Sequence, residues 1–274
     1  MTPTNARPVK TTRTSLRLIE EVKARDGASL IELTDSLDLA KSTIHNHLNT
    51  LTNEGFLVKE GMTFHVGLKF LEFGEYARNR KSVYELAREW VYALAKETNE
   101  EVDFTVEENG RIFTLEYALG NQAPSQLQTG SPFLQTGSSF HLHNCASGKA
   151  ILAQLPRDHV EEIIHRWGLP ATTPNTITDE SALFEDLEAT RKRNYSINDE
   201  ELEEGYRSVG VPVTYPNGTV FGALCVGAPT YRLDLDGPRF DEIVTQLLES
   251  TTELEQEIEQ MQPNGAEAVT GWRS

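Results

Sequence analysis

The chain has 274 residues, of which 25 are Lys or Arg and 42 are Asp or Glu, so its formal net charge is −17. This length exceeds one typical domain. The sequence has no apolar run of 18 residues and no secretory or lipidation motif, so we expect a two-domain cytoplasmic protein without a membrane partner. Its two cysteines lack CxxC spacing, which argues against a disulfide framework or a zinc site.

The acidic residues lie almost entirely in the second part of the chain. Residues 1–80 carry a net charge of +1, whereas residues 81–274 carry −18. Because an acidic surface repels phosphates, we expect any nucleic-acid contact to lie in the first part. Four cations precede the first acidic residue, Glu20: Arg7, Lys10, Arg13 and Arg17. They predict a basic arm just ahead of the first helix, placed on phosphates or in a minor groove.

Two helices are predicted before residue 40. Residues 1–12 are rich in Thr, Pro and Asn and are expected to be flexible. In the first helix, Leu16, Ile19 and Val22 are spaced to face the helices that follow. The second helix begins at a capping box, in which the side chains of Ser29 and Glu32 each satisfy a backbone amide.

The third helix begins after Leu39 and has two contrasting faces. Ile44, Leu48 and Leu51 form an apolar stripe at helical spacing. The opposite face is polar but almost uncharged, and it carries Ser42, His45, Asn46, Asn49 and Asn53. Such side chains suit hydrogen bonding to base edges in a major groove. A hairpin over residues 57–66 follows in the place of a wing. A small helical interaction module that binds no nucleic acid is the alternative for this segment.

Residues 68–79 predict an amphipathic helix that is too apolar for a free linker, with Phe70, Leu71, Phe73 and Tyr76. We interpret it as a connecting helix that also buries surface against a second copy of the chain.

The remainder predicts an α+β domain. A helix that contains Trp90 precedes two strands joined by Asn109-Gly110, a favoured hairpin turn. Helices are predicted over residues 144–155, 158–168 and 179–193, and strands over 208–214 and 219–226. A long final helix should pack beside the Trp90 helix. This order describes an antiparallel sheet with helices on a face. The loop over residues 119–139 is longer than a simple connection between two elements of a compact domain, and such loops often cover ligands.

Four stretches, in order, resemble the IclR type of transcriptional regulator. The run FHLHNCASGKAILA at residues 140–153 resembles that family's LH-x-x-x-x-GKA-x-LA signature. Residues 41–45 resemble its recognition-helix entry, residues 191–201 its Arg-x-x-Gly-Tyr and Asp-x-Glu segment, and residues 224–229 its Ser-x-Ser-Gly-Pro strand end. The chain has Asn46 where the family usually has Arg, Asn194 where it has Gly, and Cys225 and Gly227 where it has two serines.

The resemblance implies a winged helix-turn-helix, a connecting helix and a GAF/PAS-like effector-binding domain with a central antiparallel sheet. We place these at residues 1–67, 68–80 and 81–262, followed by a flexible tail at 263–274. It also implies assembly as dimers or dimers of dimers on a palindromic double-stranded operator. We therefore predict a non-enzymatic, sequence-specific DNA-binding regulator that responds to a small effector. The alternative is a non-catalytic sensor or adaptor that does not bind DNA.

The predicted DNA-contacting residues are Arg13, Arg17, Lys41, Ser42, Thr43, His45, Asn46 and Asn49. The resemblance places the effector beside the N-terminus of the GKA helix, whose free amides attract a carboxylate or another anionic group. Carried over by position, the predicted effector-binding residues are Phe140, Ala146, Ser147, Asn198, Asp199, Tyr206, Ser208, Cys225 and Gly227. They suit a small polar organic ligand and imply no cofactor; a pocket filled by its own side chains is the alternative.

Three other constellations allow two interpretations each. His141, His143 and Cys145 stand at alternate positions, where all three could bind a metal ion. Alternatively, Cys145 could be a nucleophile with His143 as its base. A loop with one capping group is the commoner structure for such a pattern. The triplet at residues 191–193 either contacts DNA or caps a helix C-terminus, where cations are favoured. Finally, nine lysines against 42 acidic residues suggest a cytoplasm with molar salt, as in a halophilic archaeon, rather than a merely acidic mesophilic protein.

Overall fold

A computed structural model describes residues 8–121 and 135–261. These residues form two compact units, with the boundary between Arg80 and Lys81. Within the described ranges, every helix is too short or too polar to cross a membrane. Most of the predicted long loop, at residues 122–134, and the predicted tail lie outside the described residues, as does Arg7.

The N-terminal unit consists of four helices and a three-stranded sheet. In chain order these are α1 Lys10–Ala24, β1 Ala28–Ser29, α2 Leu30–Ser36, α3 Lys41–Asn53, β2 Leu57–Glu60, β3 Thr63–Val66 and α4 Lys69–Arg78. The strands pair antiparallel in the order β1-β3-β2. The β2–β3 hairpin follows α3 directly, so the predicted winged helix-turn-helix is confirmed.

The capping box at the start of α2 is formed as predicted. The Glu32 amide donates to Ser29 Oγ at 3.3 Å, and the Ser29 amide donates to Glu32 Oε2 at 2.7 Å. Each bond satisfies an amide that would otherwise lack a partner at the helix start. The stripe of α3 is also confirmed, because Ile44, Leu48 and Leu51 are buried in the core of this unit.

Two predictions for α1 are wrong. Leu16 is 55% exposed, and Leu18 is buried with Val22 instead, since residues four apart share one helix face. The helix also begins at Lys10, so residues 10–12 are not a flexible arm and Arg13 and Arg17 lie on the helix surface. Backbone bonding starts at Val9, whose carbonyl accepts from the Arg13 amide at 3.1 Å.

The C-terminal unit contains a six-stranded antiparallel sheet and five helices. In chain order it comprises α5 Ser82–Thr98, β4 Glu101–Glu108, β5 Arg111–Leu119, β6 Ser139–Phe140, α6 Ala146–Gln154, α7 Arg157–Trp167, α8 Glu180–Arg193, β7 Ser196–Asp199, β8 Tyr206–Thr214, β9 Val220–Pro229 and α9 Pro238–Met261. The strand order is β6-β5-β4-β9-β8-β7. The two edge strands, β6 and β7, were not predicted, because two and four residues are too few to show a period.

Helices cover both faces of this sheet. On one face, Phe104 and Leu224 pack with α5 and α9, and Trp90 Nε1 on α5 donates to Glu257 on α9 at 3.3 Å. Ala223 faces the opposite side, with Cys145 and the apolar residues of α6. The predicted α+β fold and the pairing of α5 with α9 are therefore confirmed, whereas the helices lie on both faces of the sheet and not on a single face as expected.

Asn109 and Asn194 adopt the left-handed conformation that their positions require. Asn109 has a φ of 58° in the β4–β5 turn, as predicted. Asn194 has a φ of 63° and ends α8. Asn is one of the few residues besides Gly that tolerates this conformation, so it can replace the glycine of the family pattern.

Close backbone contacts hold the N-terminal part of α6 against the preceding loop, at Leu142, and against β8, at Gly210. A Cβ added to Gly148 would lie 2.2 Å from the Leu142 carbonyl oxygen, and one added to Gly210 would lie 2.7 Å from the Ala146 carbonyl carbon. Neither backbone could approach as closely with a larger residue.

We expect Gly148→Ala to lower the free energy of unfolding by about 1–3 kcal/mol, because the new methyl group overpacks a rigid backbone contact. Gly74→Ala is the matched control, since a Cβ at this helical glycine meets nothing within 4 Å. The control should leave stability unchanged or raise it by up to about 1 kcal/mol. Denaturant unfolding of both variants tests the contact, and equal effects would contradict it.

Candidate functional site

The outer face of α3 presents the polar side chains predicted to contact DNA. Lys41, Ser42, His45, Asn46 and Asn49 are exposed, and Thr43 is half-buried. Asn49 Nδ2 lies 3.3 Å from His45 Nδ1, so these two side chains form one hydrogen-bonding pair. Arg13 and Arg17 are exposed on α1.

In the C-terminal unit, Cys145 caps the start of α6. Its Sγ accepts from the Gly148 amide at 3.3 Å. Burial raises the pKa of this thiol to about 12, so it is protonated at neutral pH and is a poor nucleophile. His143 Nε2 lies 3.1 Å from the Pro170 carbonyl oxygen. This geometry favours the capping interpretation, and the described residues include no cluster of three potential metal ligands.

The predicted effector residues on β7, β8 and β9 form one buried group. Asn198 Nδ2 donates to Ser208 Oγ at 3.2 Å, and Ser208 lies opposite Gly227 in the sheet. A Cβ at Gly227 would lie 2.1 Å from the Tyr206 hydroxyl. Glycine therefore leaves the space that this tyrosine occupies. Cys225 is buried two residues earlier on the same face of β9.

The other predicted effector residues divide between this group and the surface. Ala146 and Ser147 are buried at the N-terminus of α6, and Phe140 packs in the cluster that contains Cys145. Asp199 differs, because its side chain is 44% exposed and pairs with Arg207 at 2.5 Å. The structure thus places Asp199 outside the buried group.

Two buried acids, Glu101 and Asp103 on β4, lie beside these residues and were not predicted. Asp103 pairs with Cys225 on β9 and with Tyr117 on β5, and Glu101 pairs with Gly227. Burial raises the pKa of Asp103 to about 7 and that of Glu101 well above its usual range. Their alternation with Val102 and Phe104 is typical of a strand with one solvated face. Only the presence of α6 over that face reveals their burial.

Lys149 of the GKA signature links three segments of the chain. Its buried ammonium group donates to Glu201, which follows β7, and lies 3.2 Å from Asp186 on α8. Asn198 Oδ1 accepts from the Glu201 amide at 2.8 Å, so this ion pair joins the buried polar group to α6.

The basic triplet lies at the end of α8, as the capping interpretation predicts. Arg191 Nε donates to the Ala153 carbonyl, and Arg193 Nε donates to that of Tyr195. Both side chains thus bind backbone within the C-terminal unit.

We expect Asp103→Asn to stabilise the protein at pH 8 but to change its stability little at pH 4. Because the pKa of Asp103 rises from 3.8 to about 7 on folding, the native state retains a proton that the unfolded chain loses. The wild type is therefore penalised as the pH rises from about 4 to 7. The variant keeps the neighbouring groups Glu101, Tyr117, Cys145 and Cys225, so the difference between the two proteins reports on Asp103.

At pH 8 the gain should exceed about 1.4 kcal/mol, the equivalent of one pH unit. Unfolding measured from pH 4 to 8 checks this, with Glu108→Gln, on the exposed end of the same strand, as the control. A pH-independent difference between Asp103→Asn and the wild type would contradict the raised pKa.

Comparison with known proteins identifies both units. Residues 15–61 match the IclR helix-turn-helix domain, and residues 76–256 match the C-terminal domain of bacterial IclR transcriptional regulators. The chain is 35% identical over 222 residues to the probable HTH-type transcriptional regulator ArcR of Halobacterium salinarum. This match covers 80% of this chain and 82% of that protein. It is 28% identical over 226 residues to the transcriptional repressor IclR of Escherichia coli, covering 81% and 80%.

The fold is similar to that of the Thermotoga maritima IclR crystal structure, with a TM-score of 0.69 and 24% identity over 91% of this chain and 98% of that one. The named relatives are regulators, which favours the DNA-binding interpretation over a sensor or adaptor that does not bind DNA. The chain belongs to the IclR family of transcriptional regulators, with an N-terminal helix-turn-helix domain that binds DNA and a C-terminal domain that binds an effector.

Proposed function

We propose that this regulator reads a palindromic operator with α3, and that a small organic effector in the C-terminal unit modulates operator binding. The uncharged polar face of α3 is the observation that carries the proposal. Asn side chains bind adenine edges with two hydrogen bonds, and such contacts discriminate between bases. A cytoplasmic location follows from this role on DNA.

The two kinds of polar side chain in the N-terminal unit have different roles in this proposal. Asn46 and Asn49, with Ser42, Thr43 and His45, contact base edges. Lys41, Arg13 and Arg17 contact phosphates, which adds affinity without sequence preference.

We expect Asn46→Ala and Asn49→Ala each to weaken binding to the operator by roughly 1–3 kcal/mol and to change binding to random duplex little. Arg13→Ala should weaken binding to both DNAs alike, because a phosphate contact carries no sequence information. Fluorescence anisotropy with both duplexes measures this. Equal losses on operator and random DNA for the Asn variants would exclude α3 as the base-reading face.

The effector site that we propose lies between the N-terminus of α6 and the sheet. Asn198, Tyr206, Ser208 and Cys225 offer amide, hydroxyl and thiol groups, with Gly227 beside them. Phe140, Ala146 and Ser147 complete the site on the α6 side, where the helix amides suit a carboxylate of the effector. We place Asp199 at its rim, since its side chain is partly exposed.

We also propose that the regulator is a homodimer or a homotetramer, assembled in part through α4. Four large apolar side chains at this helix are exposed in one copy: Leu68, Leu71, Phe73 and Tyr76. A second copy would cover them, and a two-fold protein suits a palindromic operator.

Replacing Leu71 and Tyr76 together by Ser should shift the assembly toward smaller species and weaken binding to a two-half-site operator, because the apolar contact is lost. Tyr92→Ser, which removes an exposed tyrosine from the C-terminal unit, is the control. Light scattering and anisotropy give the two readouts. A wild-type monomer bound to a single half-site would contradict the assembly.

The acidic surface suggests that the protein works in molar salt, and the Halobacterium salinarum relative supports this proposal. A Debye length of about 3 Å at 1 M salt screens the repulsion between its acidic residues. We expect the melting temperature to rise as KCl increases from about 0.1 M toward molar, and operator affinity to fall only shallowly, because few phosphate contacts release counterions. A melting temperature that stays level or falls would indicate a merely acidic mesophilic protein.

A further inference from the structure

Four buried polar atoms that lie together on the α6-facing side of the sheet have no partner in strict hydrogen-bond geometry within the described part of the chain. They are Glu101 Oε2, Asp103 Oδ1 and the hydroxyl groups of Tyr117 and Tyr206. Native proteins leave few such atoms unsatisfied, and each requires an explanation. Their concentration in one place is the pattern that a site completed by a group from outside the chain would show.

The sheet register brings these atoms together. Glu101 and Asp103 are two residues apart on β4, so they share one face. Tyr117 lies opposite Asp103 on β5. Glu101 lies opposite Gly227, and the space above this glycine holds the Tyr206 hydroxyl. Both tyrosine hydroxyls face Glu101 and act on it as hydrogen-bond donors, which lowers its pKa against the effect of burial, although neither bond meets strict hydrogen-bond geometry.

The charges around this pair differ from those around the other buried acids. Glu100 lies 2.6 Å from Arg232, Glu116 lies 4.0 Å from Arg88, and Glu201 is bound by Lys149. In contrast, the charges that act on Glu101 belong to Asp103 and Glu203, which are themselves acidic. A buried acid needs a cation or a proton, because an isolated charge is unfavourable in a medium of low dielectric constant.

We propose that the effector of this regulator carries a protonated nitrogen, an amine or a guanidinium, which binds between Glu101 and Asp103. The hydroxyl oxygens of Tyr117 and Tyr206 accept its remaining N–H groups. This inference rests on the proposed function, in which the C-terminal unit binds a small effector at this sheet. It names the chemistry of one end of that molecule and is compatible with a carboxylate at the other end, beside α6.

The test uses small probes of known charge on the intact chain. The melting temperature is measured at pH 8 against methylammonium chloride, methylguanidinium chloride and the neutral isostere N-methylurea, with KCl keeping the ionic strength fixed. At least one cation should raise the melting temperature saturably, and N-methylurea should not. The double variant E101Q/D103N, which preserves shape, should need at least tenfold more cation for the same rise. E108Q, on the exposed end of β4, should respond as the wild type does.

Two results would overturn the inference: no saturable response to either cation in the wild type up to 50 mM, roughly the range of one weak contact, or equal responses in the wild type and E101Q/D103N. Should the double variant fail to fold, D103N alone takes its place in this comparison. Sodium propionate and operator DNA are each titrated separately into the same protein preparations. A response to propionate without one to the cations refutes the protonated nitrogen and leaves the proposed function intact, whereas failure to bind operator refutes the proposed function alone.

Discussion

The close contact between α6 and the sheet is the constraint on which the C-terminal unit depends. Gly210 on β8 lets the sheet approach the backbone of Ala146 in α6, and Gly148 lets α6 approach the backbone of Leu142 in the preceding loop, at distances that a side chain would prevent. The ammonium group of Lys149 is then buried between Asp186 and Glu201, where it compensates carboxylates on two other segments. Because α6 is held in this way, its capped N-terminus lies over the polar side chains of β4, β8 and β9. The candidate effector site therefore results from the same contacts that fold the unit.

Charge is distributed in this chain according to function at two scales. Over the whole sequence, the acidic residues are concentrated after residue 80, which leaves the DNA-binding unit nearly neutral. Within the C-terminal unit, Glu100 and Glu201 each have a cationic partner, whereas Glu101 and Asp103 face each other's charge. Salt screens the surface excess but does not reach a buried pair. The surface charge thus affects the solubility and stability of the protein, whereas the buried pair determines which ligand chemistry the proposed site accepts.

The sequence predicts the parts of the fold that have a local signal. The capping box at Ser29 depends only on residues of one helix start, and the Asn109-Gly110 turn depends only on the φ angles of its two residues. Both predictions are confirmed. The start of α1 was placed too late, because Thr and Arg at residues 11–13 carry no apolar period, although Lys10 is already helical.

The candidate site was predicted only in part, for a physical reason. Cys225 and Asn198 lie in stretches that resemble the family, so position alone finds them. The carboxyls of Glu101 and Asp103 follow the pattern of a solvated strand face, and their burial depends on a helix that begins more than 40 residues later. Asp199 was predicted by the same resemblance, but an adjacent arginine on β8 holds its side chain at the surface.

The central claim is that the effector site and the DNA-binding face are thermodynamically linked. The most direct test measures operator affinity with and without a saturating effector, and effector affinity with and without saturating operator. Linkage requires that both affinities change by the same factor, in the same direction, because the two paths around the cycle have equal free energy. We predict a factor of about 5 to 150, the usual range for such coupling. Factors of one for both affinities, with effector bound at the C-terminal unit, would contradict the account.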